Sequence, residues 1–139
     1  MSLDRKEFDK RFVQAMHIFG LEIQEKFKDK LSKEHGVDTA DLKSSIRYEV
    51  KGNEVIFSMK EHGKYVEYGT PPHFPPPESL KGWVGRKFNI SDDKEKDRVA
   101  WLVANAIAKR GTKPYPFIRM TMHQDLKNAI GESLEATFK

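Results

Sequence analysis

The sequence predicts an α+β domain, and three observations carry that prediction. A long apolar stripe at helical spacing opens the chain, a hairpin signature occupies about residues 46–59, and three further helical stretches follow it. With 139 residues the chain has the length of one domain, residues 1–139, and enough material for one core. One third of the residues are charged and only 37% are hydrophobic, a balance that suits an elongated or oligomeric chain.

The first helix is expected over residues 4–33, where Phe8, Phe12, Met16, Phe19, Ile23, Phe27 and Leu31 recur three or four apart. Gly20 interrupts it at a cost of about 1 kcal/mol against Ala, tolerable in a packed helix. Gly36 suits a left-handed cap, and Asp38 or Thr39 suits the N-cap of a short helix over Ala40–Ser45. In the hairpin, Ile46, Tyr48 and Val50 alternate with polar residues, Gly52-Asn53 supplies the turn, and Val55-Ile56-Phe57 return. Two strands alone are marginal, so this sheet needs a third strand, a helix or another subunit against it.

Tyr65, Val66 and Tyr68 fit one helical turn closed by Gly69. Pro71, Pro72, Pro75, Pro76 and Pro77 follow at once; they fix φ and remove amide donors, which excludes a central strand or helix interior. This piece is expected to be an exposed, polyproline-like arm. A helix follows, with Leu80, Trp83, Val84 and Phe88 on one face. The next is capped by Ser91, with Asp92, Asp93 and Glu95 at its positive end and Lys109 and Arg110 at its negative end. Its expected buried stripe is Val99, Leu102, Val103, Ala106 and Ile107, and Gly111 is its cap. After a stiff connector, one terminal helix over Met120–Phe138 is expected to bury Leu126, Ile130, Leu134 and Phe138. Trp83 and Trp101 are both expected to be buried within the subunit.

Chemistry is sparse. The chain has no cysteine, so disulfides, thiolate zinc sites and thiol nucleophiles are excluded. None of the five histidines stands at the spacing of a helix-borne zinc motif, and surface loops are the better reading for them. There is no nucleophile elbow and no glycine-rich phosphate loop, and Asp92-Asp93 reads as a favourable helix start. No catalytic, cofactor or metal residue is assigned, and the chain is read as a non-enzyme. No stretch approaches the length of a membrane span, and no membrane partner is expected.

The net charge of +4 is concentrated. Residues 78–119 carry ten cations against five acids, and Lys109, Arg110, Lys113 and Arg119 form a basic patch interleaved with Tyr115 and Phe117. Such a patch can face phosphate or an acidic protein, so a basic nucleic-acid-binding module of a phage or mobile element stands as the alternative function. Glu67, between two tyrosines, is expected at the surface, pairing with Lys64, Lys87 or a neighbour's arginine for under about 1 kcal/mol.

Three blocks in order, DTADLKSSI, YVEYGTPPHFPPPESLKGWVGRK and AWLVANAIAKRGTKPYPFI, resemble the tail-completion or head–tail joining proteins of long-tailed bacteriophages and prophages. The family pattern falls on Leu42 with Ser45 and Ile46, on Tyr65 to Thr70, and on Gly111 to Phe117; Asp41 departs from it where a small turn residue is frequent. The likeness covers most of residues 38–120. It implies a structural virion assembly protein, working as a ring through contacts with tail-tube and head-connector proteins. It also implies location in the virion, and in the host bacterial cytoplasm during assembly. A monomer in isolation, and a DNA contact in the ring lumen, are both compatible with it. On this reading Tyr68, Thr70, Pro71, Pro72, His73, Phe74 and Pro75 project a stiffened arm onto a partner, since an arm already restricted by proline loses less entropy on docking.

Overall fold

Apolar spacing is realised first in a 30-residue helix, α1 (Arg5–Glu34), about 45 Å long. Asp4 caps it, its carboxylate accepting from Glu7 N at 2.7 Å. The computed structural model describes residues 3–34 and 40–138. The expected caps at Gly36 and at Asp38 or Thr39 lie outside the described residues. After α1 come α2 (Ala40–Ser45), β1 (Arg47–Lys51), β2 (Glu54–Ser58) and α3 (Gly63–Tyr68). Then follow α4 (Pro77–Lys87), α5 (Asp93–Arg110), α6 (Phe117–Gln124) and α7 (Leu126–Phe138). The class is α+β, with a small antiparallel sheet set on a long N-terminal helix.

Phe27 is the centre of the core. Its ring meets Phe57 from β2 at 5.4 Å and Phe117 from α6 at 6.0 Å, both edge to face. Ile23, Leu31, Leu42, Ile46 and Ala129 complete the buried cluster. The outer part of the predicted stripe is less covered: Phe8 is nearly half exposed, resting against Phe12 and against Phe138 of α7.

β1 and β2 pair in the expected register, with Glu49 opposite Ile56 and Gly52 at φ 59 in the turn. It is α1 that covers this sheet, and Tyr48 lies so close over Gly20 that a methyl group there would enter its ring. Gly20 is thus a contact surface rather than a tolerated interruption.

Two helical expectations need correction. The terminal helix is broken at Asp125 into α6 and α7, and there Lys30 Nζ of α1 holds the Asp125 carboxylate at 2.8 Å. Ala129 and Ser133 face inward on α7, whereas Ile130 and Leu134 are 44% and 40% exposed and flank a shallow groove with Phe12 and Phe19. Close antiparallel packing along α1 favours small side chains on the contact line and displaces large ones to its margins. The same holds for α5: Ala100 and Ala104 are buried, while Leu102 and Trp101 are more than half exposed or close to it, at 50% and 56%. α5 packs mainly on α4, whose buried residue is Val84, so its stripe has a partner on one side only. Its cap is Asp92, accepting from Glu95 N at 2.9 Å, rather than Ser91. Trp83 is partly covered and meets Phe88 edge to face.

Along the α1–α7 contact, burial raises the pKa of Glu22 above the ordinary 4.5, and a hydrogen bond to Glu132 and its charge add to this, outweighing the pull of Lys26. A carboxyl group held more readily protonated in the folded state contributes stability below the ordinary value and loses it as pH rises. Glu22→Gln is therefore expected to raise the thermal midpoint at pH 7 by roughly 2 °C, with the gain fading as pH falls toward 4. Circular dichroism melts of both proteins across that range read this out.

Candidate interaction site at the neck of the helical hairpin

The dipeptide Gly-Thr occurs twice in matching roles. Gly69 closes α3, its N–H donating to Tyr65 O at 2.8 Å, and Gly111 closes α5, donating to Ile107 O at 2.8 Å. Both adopt positive φ, 72° and 71°, with ψ near 180°, a region all but closed to residues with side chains. The threonines that follow pair antiparallel: Thr70 N donates to Thr112 O at 3.2 Å and Thr112 N to Thr70 O at 3.1 Å, with the hydroxyls 2.8 Å apart. A Cβ on either glycine would collide with the opposite threonine's carbonyl. This two-residue bridge is the neck from which the α4–α5 hairpin extends.

The prolines run on from the neck. Pro71, Pro72, His73 and Phe74 are exposed, Pro75 is half-buried, and Pro77 opens α4 at a position that needs no donor. The segment is nevertheless tied down: His73 N donates to Ile107 O at 3.3 Å, and its ring Nδ1 donates to Pro71 O at 2.9 Å. It lies across the end of α5 rather than standing free. Between it, α3 and the hairpin opens a groove of about 410 Å³. Val66, Leu80, Trp83, Val103 and Ile107 supply its apolar lining, and Lys113 stands at its edge.

Glu67 departs most from expectation. It is 2% exposed. α6 begins after Pro116, which offers no side-chain cap, so its first amides need an acceptor from elsewhere. Glu67 provides it: Oε1 accepts from Ile118 N at 2.7 Å and Oε2 from Arg119 N at 3.1 Å and Arg119 Nε at 2.8 Å. Arg119 also donates to Glu67 O at 2.9 Å and lies over the Tyr68 ring at 5.0 Å. Neither Lys64 nor Lys87 is its partner; Lys64 pairs with Glu61 at 3.0 Å, which raises the pKa of the Lys64 ammonium. The usable signal was a helix preceded by Pro-Tyr-Pro, with no Ser, Thr, Asp or Asn to cap it.

The predicted residues therefore divide. Tyr68 and Phe74 are exposed at 68% and 52%, Thr70 is half-buried within the neck, and Pro75 forms part of the groove wall. Lys109, Arg110 and Lys113 are exposed and have no ion-pair partner among the described residues. Arg119 is separate from them in role, committed to Glu67. Among the described residues no group of three or more histidines and acids is placed to hold a metal ion. What the arrangement offers chemically is apolar burial with one cation, Lys113, in the lining. No protein-family model, no curated protein and no solved structure matches this chain.

Glu67→Ala should cost about 3 kcal/mol in urea unfolding, since it strands buried α6 amides, whereas Arg119→Ala, which leaves the cap in place, should cost about 1 kcal/mol. Equal losses would make the ion pair, not the cap, the source of stability. Gly111→Ala should cost about 2 kcal/mol and speed hydrogen exchange at the Thr70 and Thr112 amides, leaving α1 amides protected.

Proposed function

We propose that this protein is a structural assembly protein of a long-tailed phage or prophage, completing the tail or joining it to the head as a ring. It acts through contacts with tail-tube and head-connector proteins in the virion, having been made in the host cytoplasm. The observation that supports this best is exposed aromatic surface beside the neck and along α5. Tyr68, Phe74 and Trp101 are each more than half exposed, on elements held rigidly by the Gly-Thr bridge and by proline. Large exposed aromatic side chains on stiff supports favour a protein–protein surface, because little ordering entropy remains to be lost on docking. The two-stranded sheet also presents unpaired outer edges among the described residues, which a ring neighbour can extend.

A second reading has one observation of its own. From Arg98 to Gln124 there is no Asp or Glu, and Lys109, Arg110 and Lys113 are unpaired, as a nucleic-acid contact requires. No helix among the described residues is long and apolar enough to cross a membrane.

Native mass spectrometry with the tail-tube protein of the same genome tests the assembly reading. The chain is expected to be monomeric alone and to form a ring-sized complex with tube, and Phe74→Asp with Tyr68→Ser should abolish that complex while leaving the circular dichroism spectrum unchanged. Absence of any complex, combined with steeply salt-dependent binding to duplex DNA, would establish the second reading instead.

A further inference from the structure

The groove beneath the neck has an apolar lining with one cation in it, Lys113, and the basic end of α5 adjoins it in sequence; together these define what fits it. Its floor and walls are Val66 of α3, Leu80 and Trp83 of α4, and Val103 and Ile107 of α5, with Tyr65 at the mouth. Lys113 lines the groove, and Lys109 and Arg110 stand in the last turn of α5 immediately beyond Ile107. None of these three cations has an acidic partner among the described residues. The acids on the neighbouring elements are largely committed elsewhere: Glu61 to Lys64, Glu67 to α6, and only Glu78, exposed in the first turn of α4, is without such a partner. The wall contributed by the proline segment offers few backbone donors, so a ligand must gain its affinity from side-chain burial and charge.

We infer that this groove is a docking site for a linear segment of a different protein, one that inserts an aromatic or leucine side chain while setting Asp or Glu residues against Lys113, which lines the groove, and Arg110, three residues beyond Ile107 on the same helical face. The inference deepens the assembly reading and rests on it, in that it names the chemistry of the partner. Charge complementarity selects the occupant. A second copy of this chain is a poor source, because its acids beside exposed apolar residues either lie in a helix or strand rather than in a linear segment, as Glu135 beside Leu134 and Glu54 near Ile56 do, or are already engaged. Asp92 near Phe88 caps α5, Asp93 and Asp97 hold Lys81, and Glu95 holds Arg98. Nucleic acid is the weaker match as well: three cations give a short track for phosphates, and the lining calls for apolar insertion rather than stacking on open ring faces. A volume of about 410 Å³ falls in the range of pre-formed binding clefts, roughly 300–1,000 Å³, and accommodates a few side chains of a peptide.

The test is selection of random dodecapeptides displayed on yeast against the intact protein, followed by titration of the enriched synthetic peptides under NMR observation. Enriched peptides should share an aromatic or leucine residue flanked by acids and should shift the Trp83 indole and Ile107 methyl signals. Their affinity should fall about tenfold or more in the K109E/R110E/K113E variant, whose changes lie on exposed positions and leave the fold intact. A second variant, Val103→Glu, blocks the groove itself and should abolish the Trp83 response. The inference is overturned by no enrichment over bare yeast, by enriched peptides without acids, or by binding that the triple variant leaves unchanged. It is equally overturned if a short single-stranded oligonucleotide, and not the peptides, shifts the Trp83 and Ile107 signals. Ring assembly with the tube protein, measured separately, shows whether the assembly reading survives a negative result here.

Discussion

The Glu67 carboxylate is the contact on which the arrangement of this molecule depends. It is buried, and it caps a helix that cannot cap itself, accepting from two successive amides at the start of α6. A helix start without acceptors leaves several N–H groups to desolvate uncompensated, each a cost comparable to a lost hydrogen bond. Glu67 removes two of those costs at once, and does so from α3, about fifty residues earlier in the chain. The contact is flanked on both sides. Tyr115 N donates to Val66 O at 2.7 Å, and the Thr70–Thr112 bridge follows three residues later. Together these make three rungs between α3 and the segment leading into α6, so that the position of one dictates the position of the other.

From that ladder the hairpin inherits its place. α4 and α5 have extensive packing only on each other, and their attachment is the neck together with the His73 bond to the end of α5. An extension held this way is firm at its root and open along its sides. That explains why the α5 contact line uses alanines while Leu102 and Trp101 face outward, and why Val103 and Ile107 line a groove rather than a core. The proline segment is part of the same device. Its stiffness does not make a detached arm; it carries the chain from the neck to the start of α4 across the end of α5, presenting Phe74 on the way. The functional weight thus shifts from the prolines themselves to the surface that they help to wall.

The charge distribution acquires meaning in the same frame. Four cations close in sequence read as one patch, yet Arg119 belongs to the internal ladder and lies over Tyr68, while Lys109, Arg110 and Lys113 remain at the surface. Sequence proximity does not distinguish a structural cation from an available one. The distinction lies in whether a carboxylate has been brought within hydrogen-bond reach, as Glu67 has for Arg119 and Asp125 for Lys30. Both of those pairs join elements distant in the chain, and both fall where an expectation is overturned: the surface placement of Glu67 and the unbroken terminal helix.

What the sequence by itself determined is everything that local chemistry decides. The extent of α1, the bounds of α2, the hairpin register about Gly52, and the glycine closures of α3 and α5 follow from periodicity, turn residues and positive-φ tolerance, all properties of a few neighbouring residues. The exposure of Pro71 and Pro72 follows in the same way from missing donors. Only the tertiary structure decided which apolar stripe has a partner, where the last helix breaks, and that Glu67 and Arg119 are joined. Those outcomes turn on helix-to-helix spacing and on the capping needs of one element being met by another about fifty residues away, and a linear pattern carries no distance between its distant parts.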